Sequence, residues 1–335
     1  MEKIMDLPTQ ISVIIPLYNA EKFITDTLKS ILQQSFTDFE VIVVNDGSTD
    51  NSIEKVKEFK DSRIIIIEKK ENSGIVDTLN IGIKAAKGDF IARMDADDIA
   101  YNNRFKVQYE YLKNNPNIAV VGSFQDNFGI ENKLVKLYQT NALIKTGLVF
   151  NNQICHPSVM INRDLVQKED LVYKREFQLA EDWVLWFDLS TKGYKMHNLP
   201  TPLIKYRIEG QNTTAKHRND EKARHYKVYK YILNQLSIQP NNETLDLHWA
   251  MARANVSQID LNKLKPYFKV IEEALKNGGY EKNAITKILR AKKEKIFFDI
   301  ADYSPQKALS YIITNGLISF SKVKYLITSS IKSKN

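Results

Sequence analysis

The sequence is poor in several features that define protein classes. It has one cysteine, Cys155, in 335 residues, which excludes a disulfide framework and a zinc site of four thiolates and is compatible with a reducing compartment. Its first ten residues lack the apolar stretch of a secretory signal. No run approaches the roughly 18 to 20 apolar residues that span a bilayer. We therefore expect a cytoplasmic protein, either soluble or peripherally attached to a membrane.

The composition indicates a folded chain with two unlike parts. Hydrophobic residues make up 43% and aromatic residues 10%, which is enough for a sizeable core and excludes disorder throughout. Residues 1–210 carry 26 basic and 29 acidic side chains, a net charge of −3, whereas residues 211–335 carry 22 and 11, a net charge of +11. Length and charge together predict two structural units, 1–210 and 211–335, or one large domain with an appendage.

The first hundred residues alternate β-branched runs with amphipathic stretches, which predicts βα units and a mostly parallel central sheet flanked by helices. Glu21 to Gln34 carries one apolar helical stripe, and Asn19 stands where the N-cap of that helix is wanted. The isoleucines 64–67 predict a strand buried on both faces. The strand candidates are Ile11 to Ile15, Val41 to Val44, Arg63 to Glu68 and Phe90 to Met94.

The pattern changes beyond residue 100. Arg104 to Asn114 and Glu181 to Lys192 have helical periodicity, while Ile118 to Phe124 and Ser158 to Ile161 are strand candidates. From Gln211 onward only helical periodicity is present, and it predicts a helical C-terminal region. The main helix candidates there are Tyr226 to Gln235, Lys263 to Lys276 and Asn283 to Ile300.

Acidic residues, amides and glycines follow all four N-terminal strand candidates, at the edge where open α/β sheets bind ligands. The densest group is Asp95-Ala96-Asp97-Asp98, in which Asp95 and Asp97 would share one face of a strand. Carboxylates with phosphate oxygens form the usual shell of Mg²⁺ or Mn²⁺. A metal bridge to a diphosphate is one interpretation, and a solvated acidic turn is the other. A phosphatase with an aspartyl nucleophile fits less well, because Ile99 stands where that class has Thr or Val.

A second acidic pair, Glu181 and Asp182, precedes the aromatic-rich run Trp183 to Phe187. A carboxylate among apolar side chains is partly desolvated, which raises its pKa and suits a general base. The alternative is a pair of acids that only complements the dipole at a helix N-terminus.

Three segments together resemble the inverting family-2 glycosyltransferases of the GT-A fold, in the order and spacing of that family. They are ISVIIPLYNAEKFITDTLKSILQQSFTDFEVIVVNDGSTD, ENSGIVDTLNIGIKAAKGDFIARMDADDIA and AEDWVLWFDLSTKGY. The resemblance covers about residues 10–210. It favours a metal bridge to a diphosphate for the first acidic group and a general base in the second. It implies a GT-A catalytic domain over 1–210 with a basic helical region over 211–335.

The resemblance also implies site residues. Asp182 would be the catalytic base, with Glu181 positioning it or the acceptor. Asp97 would be the direct ligand of Mn²⁺ or Mg²⁺, with Asp95 beside it, and Asp46 would accept a hydrogen bond from the uracil ring. Arg93 would meet phosphate or sugar hydroxyls. The residues expected around the UDP-sugar are Pro16, Tyr18, Asn19, Asp46, Asn72, Gly74, Arg93, Asp95, Ala96 and Asp97.

The implied reaction is one displacement in which an acceptor hydroxyl, deprotonated by Asp182, attacks the anomeric carbon opposite UDP and gives a β linkage. IARMDADDIA, NSGIVDTLNIG and LPTPLIKYRIEGQNTTAKH are similar to bacterial lipooligosaccharide β-1,3-N-acetylglucosaminyltransferases, which implies UDP-GlcNAc and a galactose-terminated surface glycan. UDP-galactose or UDP-glucose is the alternative donor, and a non-catalytic sugar-nucleotide-binding module is a distant one. Without the QxxRW motif of processive synthases, we expect one sugar per encounter.

Weaker candidates remain. His156 either lines the acceptor cleft or is structural, and Cys155 is expected to be a small buried side chain. Tyr206 and Arg207 could reach the diphosphate, as could His217 and Arg218. A dinucleotide-binding oxidoreductase is disfavoured, because no GxGxxG follows the first strand.

The basic C-terminal region has several possible partners. No nucleic-acid motif accompanies its lysines, so we expect no nucleic-acid partner. Ala308 to Ile331 interleaves apolar residues with lysines and resembles an interfacial amphipathic helix, although a packed core helix fits equally. With a lipid-linked acceptor, the first interpretation implies binding to the anionic cytoplasmic face of the inner membrane. The pattern does not indicate an oligomeric state.

Overall fold

The computed structural model describes residues 9–209, 220–256, 259–319 and 321–326. The chain divides into two compact units. Among the described residues, the first unit holds 9–144 and 152–209, and the second holds 145–151 and those from 220 on. The first unit contains the sheet and the second is helical.

A nine-stranded mixed sheet organises the first unit. Its order is β3-β2-β1-β4-β8-β6-β9-β5, with β7 on the outer side of β6. Strands β1 to β4 are all parallel, which brings their carboxyl ends to one edge, and the α/β prediction is confirmed. The strands are β1 (Ile11–Leu17), β2 (Phe39–Asn45), β3 (Ile64–Glu68), β4 (Phe90–Arg93), β5 (Ile99–Ala100), β6 (Ile118–Gly129), β7 (Lys133–Val135), β8 (Met160–Asn162) and β9 (Lys195–Ile208).

Helices accompany this sheet, and the first of them buries one apolar stripe against it. In this helix, Ile24, Leu28 and Ile31 recur at helical spacing and join Val13 and Ile15 of β1 in one core cluster. The helices up to residue 191 are α1 (Ile24–Leu32), α2 (Ser52–Glu58), α3 (Ile75–Ala85), α4 (Arg104–Asn114), α5 (Asn141–Gly147) and α6 (Glu181–Thr191).

A fully buried arginine on α4 fixes the end of β4. The Arg104 guanidinium donates to the carbonyl oxygens of Arg93, at 2.7 Å, and Val159, at 3.2 Å. Gln108, one turn later, accepts from Arg104 Nε and donates to the carbonyl oxygens of Val121 and Ser158. Since a buried charge needs such partners, this network holds the strand end from which the acidic residues at 95–98 emerge.

Two local predictions are wrong. The isoleucines of β3 are not buried on both faces, because β3 is the edge strand next to β2 alone, and Ile65 is 36% exposed. Asn19 is not an N-cap: α1 begins at Ile24 after a turn in which Phe23 N and Ile24 N donate to Ala20 O. Asn19 instead adopts a left-handed φ of 48°.

The helical unit follows the predicted periodicity with one correction. The expected continuous helix from Ala308 to Ile331 is wrong in extent, because α11 ends at Thr314 and Gly316 has a φ of +64°. Residues 321–326 are helical again, and 327–331 lie outside the described residues. The helices are α7 (Glu221–Gln235), α8 (Asn242–Arg253), α9 (Leu261–Asn277), α10 (Lys282–Tyr303) and α11 (Pro305–Thr314). None of the described helices is long and apolar enough to span a membrane.

Candidate active site

The loops after β1 and β2 are bound to each other at the carboxyl edge of the sheet. The Thr49 amide donates to Asn19 Oδ1 at 2.8 Å, and the Asn19 amide donates to Ser48 Oγ at 3.2 Å. Tyr18 beside them is 50% exposed, whereas Pro16 is buried inside β1 opposite Val44. Of these expected nucleotide contacts, Tyr18 and Asn19 are exposed and therefore accessible to a ligand, whereas Pro16 is buried beneath them in the sheet.

Asp46 organises the loop after β3. Its two carboxylate oxygens accept from the amides of Ser73, at 2.9 Å, and Gly74, at 3.0 Å, and it forms an ion pair with Lys69. Asn72 in the same loop is exposed. Gly74 has a φ of +93°, and a Cβ there would lie 3.0 Å from Gln178 Nε2, so the position requires glycine. Recognition of uracil by Asp46 stays a prediction, and the carboxylate retains free lone pairs for it.

The residues 95–98 form an acidic turn between β4 and β5. Carboxylate oxygens of Asp95, Asp97 and Asp98 all lie within 4.8 Å of one another. β4 ends at Arg93, so these carboxylates are brought together by a turn. The prediction that Asp95 and Asp97 share one face of a strand is therefore wrong. The Thr27 hydroxyl on α1 holds the turn by donating to the carbonyl oxygens of positions 96 and 98, at 2.9 and 2.8 Å.

Crowding and burial make the charges of the acidic turn costly. Burial, followed by the charge of Asp95, raises the pKa of Asp97 to about 6. The same causes raise the pKa of Asp98, which is 1% exposed, well above its usual value. Asp98 Oδ2 is buried without a hydrogen-bond partner among the described residues. Hard carboxylate oxygens at this spacing, one of them unpaired, fit a divalent cation such as Mg²⁺ or Mn²⁺. The sequence did not single out Asp98.

Arg93 is the cation closest in sequence to the acidic turn. It is 6% exposed and forms an ion pair with Asp95, while its Nε and Nη1 have no partner within the described ranges. Contact with phosphate or sugar stays a prediction, and the two unpaired donors are suited to it.

Arg207 on β9 binds the backbone of the same turn. Its Nε donates to Asp97 O at 2.7 Å, its amide donates to Asp98 Oδ1 at 2.8 Å, and its guanidinium stacks over two phenylalanine rings. Tyr206 beside it is half-buried. The structure thus places Arg207 at the site. His217 and Arg218 lie outside the described residues.

Glu181 and Asp182, the carboxylate pair, occupy the first turn of α6. Asp182 accepts from Asn152 Nδ2 at 2.6 Å and from the Trp183 amide at 2.7 Å, and burial raises its pKa. Glu181 is 8% exposed; burial, followed by Asp182, raises its pKa to about 7, and its Oε2 is unpaired among the described residues. These are the raised pKa values expected for a candidate base. Arg93 lowers the pKa of both carboxyls and also that of Asp97, so its charge acts on the pair as well as on the acidic turn.

Contacts with α3 hold the segment that leads into the carboxylate pair. Asn80 Nδ2 donates to Tyr173 O and Asn80 Oδ1 accepts from the Tyr173 amide, both at 2.9 Å, and Arg175 forms an ion pair with Asp77. Leu179, just before α6, has a φ of +70°. Sequence reasoning missed Asn80 and Asn152, because partners 93 and 30 residues apart leave no local pattern.

His156 and Cys155 are buried beneath the site. His156 Nε2 lies 2.6 Å from Tyr173 Oη, and burial lowers its pKa well below the usual value, so it is held neutral. Burial raises the pKa of the Cys155 thiol, which agrees with a small inert side chain. The structural interpretation of His156 is favoured, since the ring is 8% exposed.

Comparisons with known proteins agree with this geometry. Residues 12–168 match the model of the family described as Glycosyl transferase family 2. An uncharacterized glycosyltransferase of Haemophilus influenzae is 34% identical over 249 residues, which cover 68% of this chain and 76% of that protein. One from Rickettsia bellii is 31% identical over 230 residues, 67% of this chain but 32% of that longer protein.

Two solved structures share the fold. Residues 1–349 of S. aureus TarS in complex with UDP-GlcNAc match with a TM-score of 0.61 at 18% identity, covering 91% of this chain and 89% of that one. The mannosyltransferase PcManGT from Pyrobaculum calidifontis, in complex with GDP-Man and Mn²⁺, matches with a TM-score of 0.52 at 16% identity, covering 98% and 87%. Identities this low show likeness of fold alone.

The raised pKa of Asp97 predicts that Asp97→Asn stabilises the metal-free protein. Above pH 6 the Asp97 carboxyl is ionised in both states, but its ionisation costs more free energy in the folded state than in the unfolded chain. Asparagine removes that cost. We expect the melting temperature in EDTA at pH 8 to rise by about 2 to 4 °C, which corresponds to roughly 1 kcal/mol. The gain should shrink as the pH falls below 6 and vanish below about pH 3, where Asp97 is largely protonated in both states.

The matched control is Asp89→Asn, which changes an exposed aspartate whose side chain has no contact recorded among the described residues. It should shift the melting temperature by less than about 1 °C at either pH. A lower melting temperature of Asp97→Asn at pH 8 would contradict the repulsion inferred in the acidic turn.

Proposed function

Because this chain belongs to glycosyl transferase family 2 and is a glycosyltransferase with the GT-A fold, we propose that it transfers N-acetylglucosamine from UDP-GlcNAc to a galactose-terminated surface glycan, such as lipooligosaccharide or capsule. One observation carries the proposal: the buried Arg93 pairs with the acidic turn at the ligand-binding edge of the sheet, and its charge also acts on both members of the carboxylate pair. The reaction inverts the donor's α linkage to a β linkage.

The donor site is formed by the first four loops. Tyr18 and Asn19 are exposed beside Asp46, and the Gly74 backbone lets a nucleotide approach closely. The TarS complex with UDP-GlcNAc supports a uridine donor, and UDP-galactose or UDP-glucose is the alternative. A non-catalytic sugar-nucleotide-binding module is the remaining alternative, and the buried carboxylate pair argues against it.

Asp97 and Asp95 would hold Mn²⁺ or Mg²⁺, and the unpaired Asp98 Oδ2 lies in reach of the same cluster. When bound, the cation offsets the negative charge that grows on the diphosphate leaving group. Mn²⁺ in the PcManGT complex supports a metal at this fold's donor site. Arg93, with two unpaired donors, supplies fixed positive charge beside it.

Asp182 acts as the general base. Asn152 binds one carboxylate oxygen and the Trp183 amide binds the other, so the side chain is fixed in orientation. Its raised pKa strengthens it as a proton acceptor for the sugar hydroxyl, and the hydroxyl oxygen then attacks the anomeric carbon. Glu181 positions Asp182 or the acceptor through its unpaired oxygen.

The protein works in the cytoplasm, peripherally bound to the anionic face of the inner membrane through its basic helical region. Support comes from the +11 charge of residues 211–335 and from exposed apolar side chains on α11, where Leu309 is 45% and Ile313 58% exposed. The acceptor is accordingly a glycolipid or its glycan.

The donor assignment is tested by measuring UDP release from UDP-GlcNAc, UDP-galactose and UDP-glucose, with Mn²⁺ or Mg²⁺ and galactose-terminated acceptors. We expect acceptor-dependent release that is fastest with UDP-GlcNAc and stops in EDTA. Faster release from another UDP-sugar would overturn the sugar assignment. Release that persists in EDTA would overturn the metal assignment.

Asp182→Asn should lower kcat by about 10² to 10⁴-fold with little change in the KM for the UDP-sugar, because it removes proton abstraction and leaves the donor loops intact. Asp188→Asn, on the same helix but paired with Lys174, is the matched control and should stay within about threefold. In the wild type, kcat should fall toward acidic pH, because the raised pKa of Asp182 leads to protonation of the base at a higher pH than for an ordinary aspartate. Retained kcat in Asp182→Asn would rule out this base.

A further inference from the structure

The helical unit contains a cavity of about 690 Å³ that the proposed reaction does not use. It lies between the N-terminal half of α9 and one face of α11, and all the residues that line it belong to this unit. Its volume is in the range of sites that bind small molecules. The lining residues that matter for a ligand are Lys265, Lys269, Lys307, Tyr311, Ile259 and Pro266.

Three lysines give the cavity a positive rim. Lys265 and Lys269 are one turn apart on α9, Lys307 faces them from α11, and all three are exposed. None of their ammonium groups has an ion pair or hydrogen bond in the described part of the chain. The acid in the lining, Asp260, caps α9 by accepting from the Asn262 amide at 3.0 Å. The cavity therefore has uncompensated positive charge that suits an anion.

The walls of the cavity are partly apolar and hold a buried hydroxyl. Ile259 and Pro266 contribute apolar surface, as does the ring of Tyr311, which is 6% exposed. The Tyr311 hydroxyl has no partner among the described residues.

We propose that this cavity binds the phosphate group of an anionic phospholipid. The three ammonium groups match the charge of the phosphate oxygens. The apolar walls match the adjoining hydrocarbon, which a free phosphate ion lacks. Exposed Leu309 and Ile313 on α11 add apolar contact with the bilayer surface. The inference rests on the proposed peripheral membrane location and assigns it a site.

The test compares two triple variants of the full-length protein in vesicle co-sedimentation. Lys265→Glu/Lys269→Glu/Lys307→Glu alters the cavity. Lys230→Glu/Lys282→Glu/Lys287→Glu makes the same charge change at exposed lysines of the same unit outside it. With phosphatidylglycerol-containing vesicles we expect the cavity variant to lose at least about tenfold in affinity and the control less than about threefold, since each nearby lysine contributes roughly 1 kcal/mol. Pure phosphatidylcholine vesicles should bind none of the proteins.

Circular dichroism and melting temperature verify that each variant is folded. Equal loss in both triple variants, or no binding by the wild type, would overturn the assignment of this cavity.

A further arm separates the lipid from free phosphate. Inorganic phosphate could stabilise the wild type but not the cavity variant while the wild type fails to bind vesicles. That result would show that the cavity binds free phosphate and would overturn the phospholipid as its ligand. UDP release with a soluble acceptor is measured on the same preparations and should be equal in the wild type and the cavity variant. Vesicle binding without sugar transfer would defeat the proposed reaction alone, and transfer without vesicle binding would defeat the cavity assignment alone.

Discussion

The structure depends on one electrostatic constraint, a concentration of carboxylates around a single buried arginine. Arg93 pairs with Asp95 in the acidic turn and lowers the pKa of both members of the carboxylate pair. Burial acts in the opposite direction and is the larger effect, so the carboxyls of Asp97, Asp98 and the pair keep raised pKa values. Three arginines, Arg93, Arg104 and Arg207, act electrostatically on this group of five carboxyls. A site with this excess of negative charge favours a bound cation.

The fold holds these charges where they repel one another, and it does so through ordinary polar contacts. Thr27 binds two carbonyl oxygens of the acidic turn, and Arg104 binds the end of the strand that precedes it. Asp46 closes the loop after β3, and Asn80 on α3 binds the segment before the carboxylate pair. Because α3 contacts both the donor loop and that segment, its position relates the donor site to the candidate base.

The sequence allowed prediction of what depends on local pattern. The parallel strands, their shared carboxyl edge and the two acidic groups followed from periodicity and strand ends. Asn80 and Asn152 were missed, because their partners are distant in the chain. β9 was missed because Pro200 and Pro202 interrupt its pattern, and β-bulges accommodate it against β6. The burial of β3 was wrong because a run of isoleucines does not reveal which strand lies at the edge. The family resemblance implied the site roles, whereas the geometry supplied the unpaired oxygen of Asp98 and the contact of Arg207 with the acidic turn.

The central claim, that the carboxylate excess serves to bind a divalent cation, is tested most directly by isothermal titration of Mn²⁺ into the protein saturated with UDP. The account predicts one Mn²⁺ per chain and at least a tenfold loss of affinity in Asp95→Asn/Asp97→Asn, but not in Asp61→Asn/Asp89→Asn. Absence of binding by the wild type to both Mn²⁺ and Mg²⁺, or equal affinity in the two double variants, would contradict it.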